Sequence, residues 1–167
     1  MTSPTSLEVM RAEEEWQRAG AYSVRIQGMN RQHHLSLRDE FDGHDGNGTR
    51  YIVLLDRGYP VATCRFYETA PDRVTLGRVV VLPEYRGQHL GERVVREAES
   101  WVRDCGYERI DIDSRLEAEG FYLKLGYLRT SDKVVKSGPF DCVQMAKNLT
   151  DVNLTDTGNR IEDQDDE

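Results

Sequence analysis

The stretch Val79-Val80-Val81-Leu82-Pro83-Glu84-Tyr85-Arg86-Gly87-Gln88-His89-Leu90-Gly91-Glu92 constrains this chain more than any other. An apolar, β-branched run leads to a proline, a short polar stretch follows, and a helix begins. Gly87 and Gly91 sit where the chain turns into that helix. Unpaired backbone N–H groups at a helix start, together with the positive end of the helix dipole, form an anion site. Glycine lets such a backbone approach a ligand closely. A phosphate cradle of this kind narrows the ligand to nucleotide-like molecules. No lysine follows either glycine, so the stretch is not a P-loop, and the spacing of Gly87 and Gly91 does not fit the dinucleotide fingerprint.

The helix opened by this turn is the best in the chain. Leu90, Val94, Val95, Ala98, Trp101, Val102 and Cys105 recur at spacings of three and four, Gly91 shares their side, and Gly106 has the place of a C-cap. Upstream, residues 12–29 read as a helix with Trp16, Ala19, Ser23 and Ile26 on its inward face. Residues 33–48 are polar and turn-rich. Residues 50–55 and 59–67 form a hairpin about Asp56-Arg57-Gly58, and residues 74–82 form a third strand whose apolar end implies burial on both faces. After the long helix come a strand over 109–114, a short helix over 116–125 closed by Gly126, and strands over 127–135 and 141–147. This order predicts an α/β (α+β) domain, with a mostly antiparallel mixed sheet flanked by helices and a central βαβ unit.

Length, at 167 residues, favours a single domain with a sizeable core. No apolar run reaches the roughly 20 residues of a membrane span, and the first residues lack the pattern of a signal peptide, which together predict a cytoplasmic protein with no membrane partner. The three cysteines, Cys64, Cys105 and Cys142, are scattered and odd in number, which fits buried or half-buried thiols rather than disulfides or a C-x-x-C metal site. From Thr150 onward seven acids face one base, so this tail carries −6 of the net −8 and residues 1–149 carry −2. The sequence thus divides into a domain over 1–149 and an acidic tail over 150–167 whose composition predicts disorder. Neither part has the basic patch of a nucleic-acid binder.

Two motifs resemble the GNAT superfamily of N-acetyltransferases. The first is the coenzyme A signature Q/R-x-x-G-x-G/A, matched by Arg86 at its start and Gly91 at its end, with His89 in place of the middle glycine. The second is Ala118-Glu119-Gly120-Phe121-Tyr122-Leu123-Lys124-Leu125-Gly126-Tyr127, which looks like A-x-x-F-Y-x-x-x-G-F. They occur in the family's order and at about its spacing. The resemblance implies a GNAT-like fold and an acyltransferase moving an acetyl group from acetyl-CoA to a primary amine, on a small molecule or a peptide; it also allows a homodimer. It implies that the backbone of Arg86, Gly87, Gln88, His89, Leu90, Gly91 and Glu92 holds the pyrophosphate. It further implies that a backbone N–H of Val79, Val80 or Val81 polarises the thioester carbonyl, on a strand that splays from its neighbour, and that Tyr122 protonates the departing thiolate. Where the family often has a cofactor-contacting Asn, this chain has Ser114-Arg115, and Arg115 is placed to reach a phosphate instead.

The general base stays open between Glu40, Asp42, Glu68, Glu84 and water alone. Glu40-Phe41-Asp42-Gly43-His44-Asp45, with His33 and His34, admits a metal site. The favoured reading makes this loop a wall of the acceptor pocket, where its acids attract a cationic amine, and expects no metal. Two rival functions stand beside catalysis: a non-catalytic acyl-CoA sensor, which needs the cradle but not Tyr122, and a partner-binding domain in which His89 marks a decayed site.

Overall fold

A computed structural model describes residues 6–46 and 48–150. Seven strands form one sheet in the order β1-β2-β3-β4-β5-β7-β6. They are β1 (Leu7–Arg11), β2 (Arg50–Asp56), β3 (Tyr59–Ala70), β4 (Arg73–Val81), β5 (Arg109–Arg115), β6 (Leu128–Ser137) and β7 (Phe140–Asn148). Every neighbouring pair is antiparallel except β4 and β5, which run parallel. A parallel pair needs a crossover, supplied by α4 (Leu90–Asp104). Arg57 and Gly58, both at positive φ (52° and 87°), close the β2–β3 hairpin, the backbone a two-residue hairpin turn requires. The expected fold class and βαβ unit are therefore present.

The core lies between the sheet and α4. Leu90, Val94, Val95, Ala98 and Val102 on α4 are buried against Phe66, Val74, Leu76 and Ile110. Full burial of one valine is worth about 1.5–3 kcal/mol relative to exposure, so this face holds the crossover in place. Trp101 packs edge-on against Phe66 at 5.5 Å. Cys64 and Cys142 are buried, but Cys105 is exposed, against expectation; it is the C-cap, past the last buried turn. Beneath α4, Glu99 accepts hydrogen bonds from Lys147 Nζ (3.0 Å) and Tyr127 Oη (2.8 Å), and Lys147 also donates to the Leu125 carbonyl (2.7 Å). All three side chains are buried, so this ion pair ties α4 to β7 and to the end of α5 (Glu119–Lys124).

The opposite face of β2–β4 is covered by α1 (Glu15–Arg25), which runs into a π-helical turn over Ile26–Asn30 and a last helical turn α2 (Arg31–His33). The inward face of α1 is not the expected one. Trp16 and Ala19 are exposed, while Gln17, Ala21, Val24 and Arg25 are buried. The stripe is displaced by one residue, about 100° around a helix. Polar Gln17 and Arg25 on the buried side hid it, and Trp16, whose indole donates to Glu14 (2.9 Å), drew the reading outward. Two more elements depart from expectation. β1 pairs with β2 from Leu7–Asp56 to Arg11–Ile52, and the polar stretch after residue 33 contains α3 (Leu37–Glu40), capped by Ser36 Oγ on the Asp39 N–H (3.1 Å). At the other end, Leu149 is buried and donates its N–H to the Glu108 carbonyl (2.9 Å). The acidic tail lies outside the described residues from 151 on.

Candidate active site

β4 and β5 pair only through Arg73–Arg109, Val74–Ile110 and Thr75–Asp111. Both strands continue, β4 to Val81 and β5 to Arg115, without further pairing to each other. The β5-facing backbone of Val79–Val81 is therefore left without a strand partner, the splay the carbonyl role calls for. On its other side β4 keeps its ladder to β3, but the register shifts between Thr63 and Arg65, opposite Gly77–Val80. This is a β-bulge, and it holds Arg78 at φ 50°. A left-handed non-glycine residue costs of order 1–3 kcal/mol and is kept only where its surroundings fix it.

Past β4, a 3₁₀ turn over Pro83–Tyr85 leads to extended Arg86, then Gly87 at φ 81°, then His89 at φ 61° as the N-cap of α4. His89 makes no capping hydrogen bond and its side chain is 86 % exposed. The first turn of α4 thus meets solvent without a capping side chain, as an anion cradle needs. The two glycines serve different ends. A Cβ at Gly87 would meet nothing within 4 Å, so its role is the positive φ. A Cβ at Gly91 would lie 3.3 Å from the Phe121 ring and 3.7 Å from Val81, so that glycine seats α4 against β4 and the Phe121 motif. Arg86 folds back, its Nε donating to the Val81 carbonyl at 3.3 Å. Leu90 is a buried core anchor, and only its backbone is presented at the helix start. Gln88 is exposed, and Glu92 lies near Arg96 (3.8 Å).

Tyr122, on α5, is buried between Phe121 and Tyr127 (ring centroids 5.0 and 5.8 Å). Its hydroxyl has no hydrogen-bond partner among the described residues. Burial, and then the neighbouring Cys64 and Cys142, push its pKa up, so it stays protonated at neutral pH. It lines a cleft of about 620 Å³, together with Val79 and Val80 of β4, Gly77 and Arg78 of the bulge, Met29 and Leu35 beside α2, and the β6–β7 turn over Ser137–Phe140. The cleft brings together Tyr122, Val79 and Val80. It does not include Arg86–Glu92, which lie beyond the end of β4.

The cleft wall from residues 39–42 corrects one expectation. Glu40 and Asp42 do line it, but they are not free acids. Arg25 bonds Glu40 Oε1 (3.0 Å) and both carboxylate oxygens of Asp45 (2.8 and 3.0 Å). Arg65 bonds both oxygens of Asp42 (3.0 and 2.9 Å) and lies 2.9 Å from Asp45, and Arg78 lies 3.3 Å from both Glu40 and Asp42. Burial alone would raise the Asp45 carboxyl, but Arg25 and Tyr51 outweigh it and hold it far below the usual carboxylate range; Asp42 is likewise lowered, by Arg65, against burial. Three arginines thus balance three carboxylates, and the cluster presents little net charge to an acceptor. It also engages the carboxylates of the alternative metal reading; His33 instead meets the Phe140 ring at 5.2 Å. Of the base candidates, Glu68 accepts from Tyr107 (2.7 Å) and Glu84 is exposed on the 3₁₀ turn, and neither lines the cleft. Arg115 also belongs to the cleft rather than to the start of α4, stacked over Phe140 (4.2 Å) and 3.2 Å from Glu117. Sequence reading missed the arginine cluster. Its one local signal was Arg65, a charge inside the apolar run of β3 that had to find a buried partner.

The comparisons give a family for this sheet, with its one parallel pair that parts beside an uncapped helix start. The model of the acetyltransferase (GNAT) family matches residues 9–127. An uncharacterized acetyltransferase of Streptococcus pyogenes serotype M1 is 33% identical over 113 residues, covering 68% of this chain and 79% of the relative. A solved Lactobacillus plantarum chain assigned as an N-acetyltransferase superposes with a TM-score of 0.80 at 28% identity, covering 86% of this chain and 99% of that one. An acyl-CoA N-acyltransferase from Pseudomonas aeruginosa shares the fold, with a TM-score of 0.74 at 19% identity over 85% of this chain and 99% of that one. The chain belongs to the GNAT acetyltransferase family.

Proposed function

We propose that the protein is an N-acetyltransferase that moves the acetyl group of acetyl-CoA to a primary amine. The observation that carries this reading is the parting of β4 and β5 after Thr75–Asp111, with the Tyr122 cleft along Gly77–Val80 of β4 and the uncapped start of α4 just beyond that strand's end. The residues present fit the co-substrate. The N–H groups of Gly87–Glu92 suit a pyrophosphate by hydrogen bonding and helix dipole, and the β5-facing edge of Val79–Val81 suits a pantetheine amide and a thioester carbonyl. Acetyl-CoA supplies an activated acyl carbon with a thiol leaving group. The chain polarises that carbon's carbonyl through a backbone N–H, worth most in a site shielded from water, and holds a proton on the Tyr122 hydroxyl for the leaving sulfur. The homologues' acetyltransferase names and the acyl-CoA neighbour support this. The uncluttered Tyr122 hydroxyl favours catalysis over the sensor reading, which gives it no task. The working domain is read as residues 1–149, and its setting as cytoplasmic.

The test is thiol release from acetyl-CoA across a panel of primary amines, with Tyr122→Phe compared in single turnovers. Positioned acid catalysis contributes about 10²–10⁴ in rate. The Phe variant keeps the ring, so it should lose a factor in that range while CoA affinity and melting temperature stay near the parent's. A Phe variant as fast as the parent would make Tyr122 a packing residue. CoA binding without thiol release on any amine would favour the sensor.

A further inference from the structure

The arginine cluster leaves open what recognises the acceptor's positive charge. The parallel register answers it. Thr75 lies beside Asp111, and two residues further on, past the point where the strands part, Gly77 and Asp113 both line the cleft. Along β5, Ile110, Ile112 and Ser114 are buried and Asp111, Asp113 and Arg115 alternate with them, which puts Asp113 on the cleft face, and its side chain lines the cleft. Gly77 contributes no side chain, and a Cβ there would meet nothing within 4 Å, so the cleft is open at that point of β4. Asp113 has no hydrogen bond or ion pair among the described residues. The groups around it are Tyr67 from β3, Cys142 from β7 and Asp111 on its own strand, and each nearby arginine is paired with another acid: Arg115 with Glu117, Arg78 with Glu40 and Asp42, Arg109 with Asp111 and Arg73 with Asp72. Of the other cleft acids, Glu40 and Asp42 are neutralised and Asp39 belongs to α3 rather than to the parting strands.

We propose that Asp113 is the catalytic residue that receives the acceptor's ammonium group and takes its first proton, at the point where β4 and β5 part. This rests on the reading of the protein as an acetyltransferase acting on an amine. Asp113 is exposed to solvent, yet desolvation by the atoms around it, and then Asp111, raise its pKa above the usual carboxylate value, as suits a group that must accept a proton. One proton passes from the ammonium nitrogen to the Asp113 carboxylate, and the freed lone pair forms the N–C bond. The C–S bond breaks, and the thiolate takes its proton from Tyr122. The second proton lost by nitrogen restores the tyrosine hydroxyl through water, and Asp113 returns its own to solvent. The acceptor class that follows is an amine cationic at neutral pH, such as an alkylamine or a lysine side chain, rather than a neutral or anionic nucleophile.

The experiment compares kcat/KM of the parent and Asp113→Asn on alkyl diamines and a lysine peptide with that on hydroxylamine, which is uncharged at neutral pH and needs neither anchor nor base. Asp113→Asn should lose about 10²-fold or more on the cationic amines and far less on hydroxylamine, with unchanged melting temperature and CoA affinity. Asp113→Glu should recover part of the amine rate, and it reads the same ratio if the Asn variant folds poorly. A parental amine rate in Asp113→Asn, an equal loss on both nucleophiles, or a parent that acetylates hydroxylamine but no cationic amine overturns the proposal. A parent that fails to bind CoA in a titration overturns the transferase reading itself, which separates the two failures.

Discussion

Alanine at Gly28 probes how the π-helical turn seats against the strand of the site. Gly28 is buried, and a Cβ there would lie 2.4 Å from Val80 Cγ1. Carbon atoms rest at about 3.5–4.0 Å, so an overlap of more than about 1 Å must be relieved. Val80 is 4% exposed and its side chain is β-branched, so it cannot simply rotate away. Overpacking of this kind costs about 1–3 kcal/mol. The helix-propensity gain of alanine over glycine, about 1 kcal/mol, offsets part of that. The net loss is then about 1 kcal/mol, or about 2–4 °C in Tm for a protein of this size. Relief moves Val80 and the β4 edge with it, so CoA affinity should fall as well. Urea unfolding should show a lower midpoint at unchanged slope. Val80→Ala removes the clashing methyl, so in a double-mutant cycle the pair should be coupled by about 1 kcal/mol in the favourable direction. A Gly28→Ala protein as stable as the parent, with additive Val80→Ala, would refute the close contact.

Two other substitutions have definite signs. His89→Gly relieves a left-handed residue that costs about 1–2 kcal/mol and returns part of that as unfolded-state entropy, so thermal unfolding should show a Tm equal to or slightly above the parent's and titration should show undiminished CoA affinity; a lower Tm or weaker binding would give the imidazole a role. Glu99→Gln strands Lys147 in the core and should cost about 3–5 kcal/mol in urea unfolding, whereas Glu99→Gln with Lys147→Met should recover much of it; equal losses in the two would deny that the buried charge pair is the cause.

What could be read in advance follows from where the information sits. β2 to β5, β7 and α4 declare themselves because their buried faces are apolar and periodic, from Ile52 and Leu54 to Val94 and Val102. The strand–turn–helix from Val79 to Glu92 is legible because its glycines and the strand before it are contiguous. The face of α1 is not, since its inner side spends positions on Gln17, Arg25 and Gly28 for polar and steric reasons that periodicity cannot weigh. β1 is five residues long and includes Glu8 and Arg11, so its alternation is faint. The charge balance of this cleft wall was misread because its arginines arrive from α1, β3 and β4, at separations of 15 to 38 residues. The bulge at Arg78 and the parting of β4 from β5 after Thr75–Asp111 are properties of strand register, which a single sequence does not display.

The central claim, that acetyl-CoA lies along β4 with its pyrophosphate on the start of α4, is tested most directly by backbone amide shifts in the intact protein as acetyl-CoA is added. The account predicts large perturbations of the Gly87–Glu92 and Val79–Val81 amides, with smaller ones across the Tyr122 cleft. Saturation without change at those amides, or shifts concentrated elsewhere on the sheet, would contradict it.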